Sequence, residues 1–319
     1  MEQDLAFRIY AGFFGSDVLL APEYLAITLL IAFFVYLVRR RRQRLPGFWR
    51  WIMPRELWLH RSTLLDLELF VLGRLMLILG LLGRLSLITG ASLLTVRLLS
   101  GEQGRPLAPV KVSPFLLSLA LWMAGDLARY WLHRAYHRIG LIWPLHAVHH
   151  AAEVLTPLTA YRQHPLTYLI GVPVVSVVMG LAQGLVLVAL DPQATPLFIA
   201  GTNAVLVIAN AALANFHHSH IWISYGPILE RLFISPAQHQ IHHSTDPRHH
   251  NRNFGETLAL WDWMFGTLFL ATGENSARIR FGLTGRADAG LSSHRLVPNL
   301  WDPLRRALPR RRTARNTRH

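Results

Sequence analysis

The residues best suited to chemistry in this sequence are its histidines, of which there are 17. Most of them fall in two short stretches. The first stretch reads His133-Arg-Ala-Tyr-His137 and then His146-Ala-Val-His149-His150. The second reads His217-His218-Ser-His220, then His239-Gln-Ile-His242-His243, then His249-His250. Neutral imidazole is a common ligand of iron, zinc and copper, so this clustering makes metal binding the first hypothesis.

Helical spacing brings the rings within each cluster to one side. Residues i, i+3 and i+4 of an α-helix share a face, so His133 and His137 are expected to stack one turn apart. The two HxxHH boxes, 146–150 and 239–243, are each expected to direct three imidazoles at one region of space. Burying so many polar rings without partners would be costly, and a divalent metal supplies the partner.

The clusters offer more ligands than one ion accepts, so the sequence predicts two ions. The HxxxH pair supplies two ligands, each HxxHH box supplies three, and the 217–220 cluster supplies one more, for which we favour His218 although spacing alone does not separate it from His217 and His220. The predicted ligands are His133, His137, His146, His149, His150, His218, His239, His242 and His243. Further candidates, as ligands or as supports of ligands, are His217, His220, His164 and His250, whereas His60, His294 and His319 are expected to be solvated.

Other residue types narrow the chemistry. The chain has no cysteine, which excludes disulfides, thiolate metal sites, iron–sulfur clusters and cysteine nucleophiles. It has neither the Glu-x-x-His pair of soluble di-iron bundles nor the HExxH motif of zinc peptidases. An all-histidine site beside lipid favours iron and dioxygen over structural zinc.

Long apolar runs are expected to position these histidines. The chain is 52% hydrophobic and only 16% charged, and a helix needs roughly 20 apolar residues to cross a bilayer. Runs at 18–38, 114–132, 166–190 and 197–214 predict spans. A longer run, 65–99, suits neither one straight span nor two, and Gly80, Gly83 and Arg84 predict a kink or a re-entrant turn there. The expected fold is an all-α integral membrane helical bundle of about four spans, with a cytoplasmic helical cap that carries the histidine boxes.

Charge predicts the orientation. The net charge is +14, and the arginine cluster at 39–44 directly follows the first apolar run. Such clusters favour the cytoplasm and anionic lipid headgroups, so we expect no nucleic acid partner. One net crossing by 65–99 then places the histidines and the basic tail in the cytoplasm, and the arginine bias favours a bacterial inner membrane. We expect a membrane region at 1–112, a catalytic region at 113–300 and a basic tail at 301–319.

The motifs around the histidines resemble the fatty acid hydroxylase/sterol desaturase superfamily of membrane enzymes. The resemblance rests on Asp126-Leu-Ala-Arg-Tyr-Trp-Leu-His133, Trp143-Pro-Leu-His146, Asn215-Phe-His-His218, Ser235-Pro-Ala-Gln-His239 and Trp261-Asp-Trp-Met-Phe-Gly-Thr267. It implies two iron ions held by the nine histidines, with O2 as co-substrate. It also implies a lipid substrate from the bilayer and an external electron donor of reductase, ferredoxin or cytochrome type. Zinc could replace iron in purified protein, because nitrogen-ligand sites often prefer it over Fe²⁺. The HxxxH spacing resembles the sterol-oxidising and ether-lipid branches, although the ether-lipid branch tends to carry a histidine where Gln238 stands.

Several alternatives stay open at this point. Asp126, seven residues before His133, would either accept a ring N–H or pair with another helix. Asn253 and Asp262 would either brace the last box or cap helices. The expected activity is lipid hydroxylation. A desaturase with the same centre, a metal transporter and a structural zinc protein are the competing functions.

Overall fold

The computed structural model describes residues 2–307 except 16–17, 101–110, 190–195, 200–201, 275, 285–287, 289–290 and 292. Its helices are α1 Glu2–Phe14, α2 Pro22–Gln43, α3 Phe48–Ile52, α4 Arg55–Trp58, α5 Arg61–Ile78, α6 Ile88–Ser100, α7 Pro114–Arg138, α8 Trp143–His150, α9 Pro165–Ala189, α10 Ala204–Ala209, α11 Asn215–His217, α12 Gly226–Leu229, α13 Pro236–His242, α14 Leu260–Met264 and α15 Leu296–Ala307. A two-residue antiparallel pair, β1 Phe198–Ile199 and β2 Thr202–Asn203, is the only sheet in the described part. The described chain is therefore helical, as predicted.

Two helices have the length and hydropathy that a membrane span needs. They are α2, with 22 residues, and α9, with 25 residues, and they correspond to the runs predicted at 18–38 and 166–190. Helix α7 continues the run predicted at 114–132 as far as Arg138, so one helix carries both His133 and His137. The run predicted at 197–214 is not one helix, because it is divided among β1, β2, α10 and a π-helical turn, Asn210–Ala214.

The apolar run at 65–99 is broken, as the glycines predicted. Helix α5 ends at Ile78 and α6 begins at Ile88. Between them Gly80 adopts a left-handed conformation, with φ of +72°, and a 3-10 turn spans Gly83–Leu85. Helix α6 then packs closely along α9, because Gly180 and Gly184 of α9 leave room for the backbone of α6.

The metal-binding candidates lie where α7 ends and α9 begins. These two helices are antiparallel neighbours: Gly125 faces Met179, and the hydroxyl of Tyr136 donates a hydrogen bond of 2.9 Å to the carbonyl of Thr167. Helices α8 and α13, which carry the two HxxHH boxes, lie at the same end. Helix α15 packs against α8 and α5 and continues across the predicted boundary at 300/301. The rest of the predicted tail, 308–319, lies outside the described residues.

Candidate metal centre

The nine histidines predicted as ligands converge on two neighbouring groups. Within each group, one ring nitrogen of every member lies within 4.8 Å of the others. The first histidine group consists of His133, His137, His146, His150 and His242. The second histidine group consists of His149, His218, His239 and His243.

Each HxxHH box is divided between the groups, contrary to the expectation that its three rings would meet at one place. Pairs at i and i+4, such as His146 and His150, enter the same group, because they lie on one helix face one turn apart. The remaining member of that box, His149, enters the other group. Its ring is nearly perpendicular to that of His150, at 88°. The rings of His150 and His243 are only 4.5 Å apart, so the groups adjoin.

Ring tautomers in the first histidine group suit a cation. Nδ1 of His133 lies 2.8 Å from the carbonyl of Phe254, and Nδ1 of His242 lies 2.7 Å from the carbonyl of Arg252. Because a carbonyl only accepts, each Nδ1 carries the proton and donates it. Nε2 of both rings therefore carries a free lone pair. Each of these atoms is buried without a hydrogen-bond partner in the described part of the chain. Nε2 of His137, His146 and His150 is likewise buried without a hydrogen-bond partner among the described residues.

The nitrogen distances in the second histidine group also suit a cation. Nε2 of His218 lies 2.9 Å from that of His239, 3.1 Å from that of His243 and 3.3 Å from that of His149. One N–H can serve only one of these three neighbours. Nitrogens that bind a common ion at about 2.1 Å are themselves about 3–4 Å apart. The donor set therefore fits one cation between the four rings.

Burial keeps these imidazoles neutral. It lowers the pKa of His149 to about 3, and it moves the pKa of His150, His218 and His243 well below the ordinary value, with neighbouring histidines adding to the shift. A protonated ring cannot bind a metal, so at neutral pH burial supplies the ligand form. Their ligand role itself stays a prediction.

The structure separates the members of the 217–220 cluster, which spacing alone did not. Nε2 of His217 lies 3.1 Å from the carbonyl of Ile234, and its ring stacks on His239 at 5.3 Å. Nε2 of His220 lies 2.8 Å from the carbonyl of Trp51. Both rings are therefore engaged by backbone, and only His218 enters a histidine group.

Several further histidines are placed differently from the expectation. His164 lies outside both groups: its Nε2 is 3.0 Å from the carbonyl of Leu300, and its Nδ1 accepts from the amide of Leu166 at the start of α9. His60 and His294 are not simply solvated, since they lie 4.0 and 3.1 Å from the carboxylate of Glu153. His250 is exposed and lines a cavity described below. His319 lies outside the described residues.

Asp126 does not contact His133. Its Oδ2 accepts hydrogen bonds from the indole of Trp261, at 2.9 Å, and from the amide of Leu258, at 3.2 Å. It therefore joins α7 to α14, which is the interhelical role and not the ring-bracing one.

Asp262 is connected to the first histidine group through the peptide unit between Phe254 and Gly255. Its carboxylate accepts from the amides of Phe254 and Gly255, each at 2.8 Å, and from the hydroxyl of Thr267 at 2.6 Å. The carbonyl of the same Phe254 binds His133. Asp262 thus holds the loop that orients a predicted ligand, which goes beyond capping a helix.

Asn253 braces the last box through backbone groups. Its side-chain amide donates to the carbonyls of Gln238 and Phe269, at 3.1 and 3.0 Å. Its side-chain oxygen accepts from the amide of Phe269 at 2.7 Å. With φ of +56°, the residue occupies the left-handed region that asparagine tolerates well. The side chain of Gln238 binds the carbonyls of Glu230 and Phe269 and so supports the same box.

A buried ion pair that the sequence reasoning missed fastens α8. The side chains of Arg162 and Asp66 are fully buried, with 2.9 Å between Nη1 and Oδ1. Nε of Arg162 donates to the carbonyl of Val148, the residue before His149. Thr159 donates to the second carboxylate oxygen of Asp66 at 2.6 Å. The available signal was an acidic residue within an apolar run, which requires a partner.

A cavity of about 320 Å³ opens onto both histidine groups. His137, His150, His242 and His243 form its inner wall. Its other lining is largely polar and includes Arg138, His250, Asn251, Thr284 and Asp288. Trp143 contacts both parts of the lining: its indole donates to Asp288 at 3.1 Å, and its ring lies 5.1 Å from that of His137.

Two candidate spans and two histidine groups able to hold metal ions are the features expected of a metal-binding membrane protein. Within that class, residues 118–267 match the sequence profile of the fatty acid hydroxylase family. Alkylglycerol monooxygenase of Danio rerio is 28% identical over 166 residues, which cover 51% of this chain and 32% of that protein. Ornithine lipid hydroxylase OlsE of Rhizobium tropici is 26% identical over 188 residues, which cover 58% of this chain and 50% of that protein.

The family match and these relatives support the fatty acid hydroxylase/sterol desaturase superfamily, which the motifs predicted. Human alkylglycerol monooxygenase is 29% identical over 164 residues. The match spans about a third of the length of the alkylglycerol monooxygenases and half of the ornithine lipid hydroxylase. No solved structure matches the chain.

Proposed function

We propose that this chain is a membrane-bound, non-haem di-iron oxygenase that hydroxylates a C–H bond of a lipid, using O2 and electrons from an external donor. The observation that carries the proposal is the pair of adjoining groups of buried, neutral imidazoles. The relatives support the choice of reaction, since their names describe a monooxygenase and a hydroxylase that act on lipids.

The residues of the chain would hold the metal ions and orient their ligands. The first histidine group would hold one iron ion and the second would hold the other. Iron bound there would supply the activation of dioxygen, which no side chain provides. The carbonyls of Arg252 and Phe254 keep the protons of His242 and His133 on Nδ1, so that Nε2 stays directed at the ion site. No nucleophilic side chain is needed.

The cavity beside the centre would receive the reacting part of the lipid. Its inner wall consists of rings from both histidine groups, so a C–H bond placed there would be close to both ions. The remainder of the lipid would stay in the bilayer, which α2 and α9 are long and apolar enough to cross.

We further propose that the centre faces the cytoplasm of a bacterial cell. The arginine-rich C-terminal turn of α2 favours that side. Electrons would then come from a cytoplasmic reductase, ferredoxin or cytochrome-type protein.

Comparative lipid analysis tests the proposal. Total lipids from a strain that carries the chain are compared by mass spectrometry with lipids from strains that carry His150→Ala or His220→Ala. We expect a lipid that has gained one oxygen atom, with the oxygen derived from heavy-isotope O2. The product should be absent with His150→Ala and retained with His220→Ala, because His220 binds only a backbone carbonyl.

Other outcomes would favour other functions. A lipid that has lost two hydrogens would replace hydroxylation by desaturation. A protein that leaves lipids unchanged but carries metal across liposome membranes would be a transporter, and the oxygenase proposal would then be wrong.

A further inference from the structure

Six large apolar side chains of the cap are exposed together. They are Ile228, Leu229, Leu232, Phe233, Trp263 and Met264, with exposures between 41% and 76%. They belong to segments 226–233 and 258–265, which we call the apolar wedge. Large contiguous apolar patches are rare on water-facing surfaces and mark contact with protein or membrane.

The backbone holds the two segments of the wedge side by side. The amide of Ala259 donates to the carbonyl of Leu232 at 3.0 Å, and the amide of Ile234 donates to the carbonyl of Thr257 at 2.9 Å. Phe233 and Leu258 form an antiparallel bridge between these bonds. The exposed side chains therefore form one surface on a paired backbone.

The inner face of the wedge packs against α7 at a point well before the C-terminal end of that helix. Leu258 and Trp261 share a buried cluster with Trp122, against which Leu119 and Val205 of the neighbouring helices also pack. Asp126 accepts from the amide of Leu258 and the indole of Trp261. This attachment point lies twelve residues, or about 18 Å, before the end of α7 at Arg138, at 1.5 Å per residue.

The antiparallel neighbour α9 fixes the depth of that point. Gly125, next to Asp126, faces Met179. Helix α9 runs from Pro165 to Ala189 and is a candidate membrane span, and Met179 lies about 21 Å from its start. The attachment point of the wedge is therefore level with the middle of a helix that is apolar enough to cross the bilayer.

From this placement we propose that the apolar wedge is a re-entrant part of the cap, embedded in the acyl chains of the bilayer beside α7. Its partner is phospholipid hydrocarbon, contacted by the six exposed side chains. The surface adjoins α7, because the ring of the exposed Trp131 lies 4.8 Å from that of Phe265 in the wedge.

The charges of the wedge are compatible with this environment. The carboxylate of Glu256 lies 2.7 Å from Nε of Arg129, so these charges cancel locally. Glu230 is fully buried and accepts from the hydroxyls of Ser224 and Ser235. Arg231 donates to the carbonyl of Pro227, so its guanidinium has a partner within the wedge. Irregular backbone is tolerated at membrane depth when its polar groups are paired within the protein.

Spin labels test the proposal on the full chain. Because the sequence contains no cysteine, single cysteines can be placed at Met264→Cys and Ile228→Cys, labelled with a nitroxide, and reconstituted in phosphatidylcholine–phosphatidylglycerol nanodiscs. Collision rates are measured with O2, which partitions into hydrocarbon, and with a water-soluble nickel chelate. Leu30→Cys on α2 is the lipid control, and Arg278→Cys in the cap is the aqueous control.

We expect the ratio of O2 to nickel collisions at both wedge positions to match that at Leu30 and to exceed that at Arg278 several-fold. Ratios at the aqueous level would overturn the proposal and favour a docking face for a soluble protein. Phe233→Cys and Trp263→Cys give a second, independent reading if either first variant fails to fold. The measurement does not depend on oxygenase activity, so it is separate from the test of the proposed function.

Discussion

Replacing Asp66 by asparagine is expected to destabilise the protein strongly and to loosen its second histidine group. The guanidinium of Arg162 is fully buried, and the carboxylate of Asp66 is its only ion-pair partner among the described residues. Asparagine keeps the size of the side chain and removes the charge. Arg162 would then be a buried cation without a counter-charge, beside the carbonyl of Val148 that it now holds at 2.6 Å.

The expected size of the effect follows from this burial. Removing one partner of a buried ion pair costs about 3–5 kcal/mol, because the remaining charge stays desolvated. In a chain of this length such a loss lowers the unfolding temperature by roughly 5 °C or more. Replacing both partners by apolar residues, as in Asp66→Leu with Arg162→Met, leaves no buried charge and should cost less than Asp66→Asn alone.

Thermal unfolding in detergent, followed by circular dichroism, measures the effect. Glu68→Gln is the matched control, since Glu68 lies two residues further on in α5 and is exposed. Metal content after dialysis against a chelator gives the second measurement, because α8 carries His149 of the second histidine group. If Asp66→Asn behaved like Glu68→Gln in both assays, the reasoning that the ion pair fastens α8 would be refuted.

Three further predictions concern the centre itself. His243→Ala should lower the iron bound per chain from two towards one, measured by elemental analysis, while His220→Ala should leave it unchanged. Asp262→Asn should lower iron retention several-fold by releasing the loop that holds His133, and an unchanged iron off-rate would contradict this. The metal-free protein should lose stability as the pH falls below about 6.5, because burial lowers the folded-state pKa of His149 to about 3 and of His217 to about 4. The unfolded chain then binds more protons, at about 1.4 kcal/mol per group and pH unit, and a urea midpoint that stays flat from pH 7.5 to 5 would refute the assignment.

The sequence predicts which histidines converge better than it predicts how they are divided between the two histidine groups. Spacing along α8 and α13 is local information, so the ring positions follow from helix geometry. The division of each box between two groups also depends on where α7 and His218 lie, which no local pattern contains. His150 and His243, for example, are adjacent in space at 4.5 Å although they come from different boxes.

Backbone partners and long-range pairs could not be predicted from the sequence, for a simpler reason. Every residue has a carbonyl, so nothing in the letters singles out Arg252 and Phe254 as the acceptors for His242 and His133. The partner of Asp126 was equally hidden, since helix phase placed it with His133 while the fold brings Trp261 to it. Hydropathy likewise marked 197–214 as one apolar run, although Asn203 caps a new helix within it.

The division of the boxes also explains why so much of the chain supports one centre. Because His149 and His150 are consecutive on α8 and enter different groups, a displacement of that helix would disturb both histidine groups together. The ion pair that fastens α8 uses Asp66, which lies outside the region 118–267 that matches the family. Helix α15 adds a second contact, since Leu296 and Leu300 pack against the cluster that contains Val148. The helices before and after the family region thus hold the histidine helix in place, and a segment limited to 118–267 would lack both contacts.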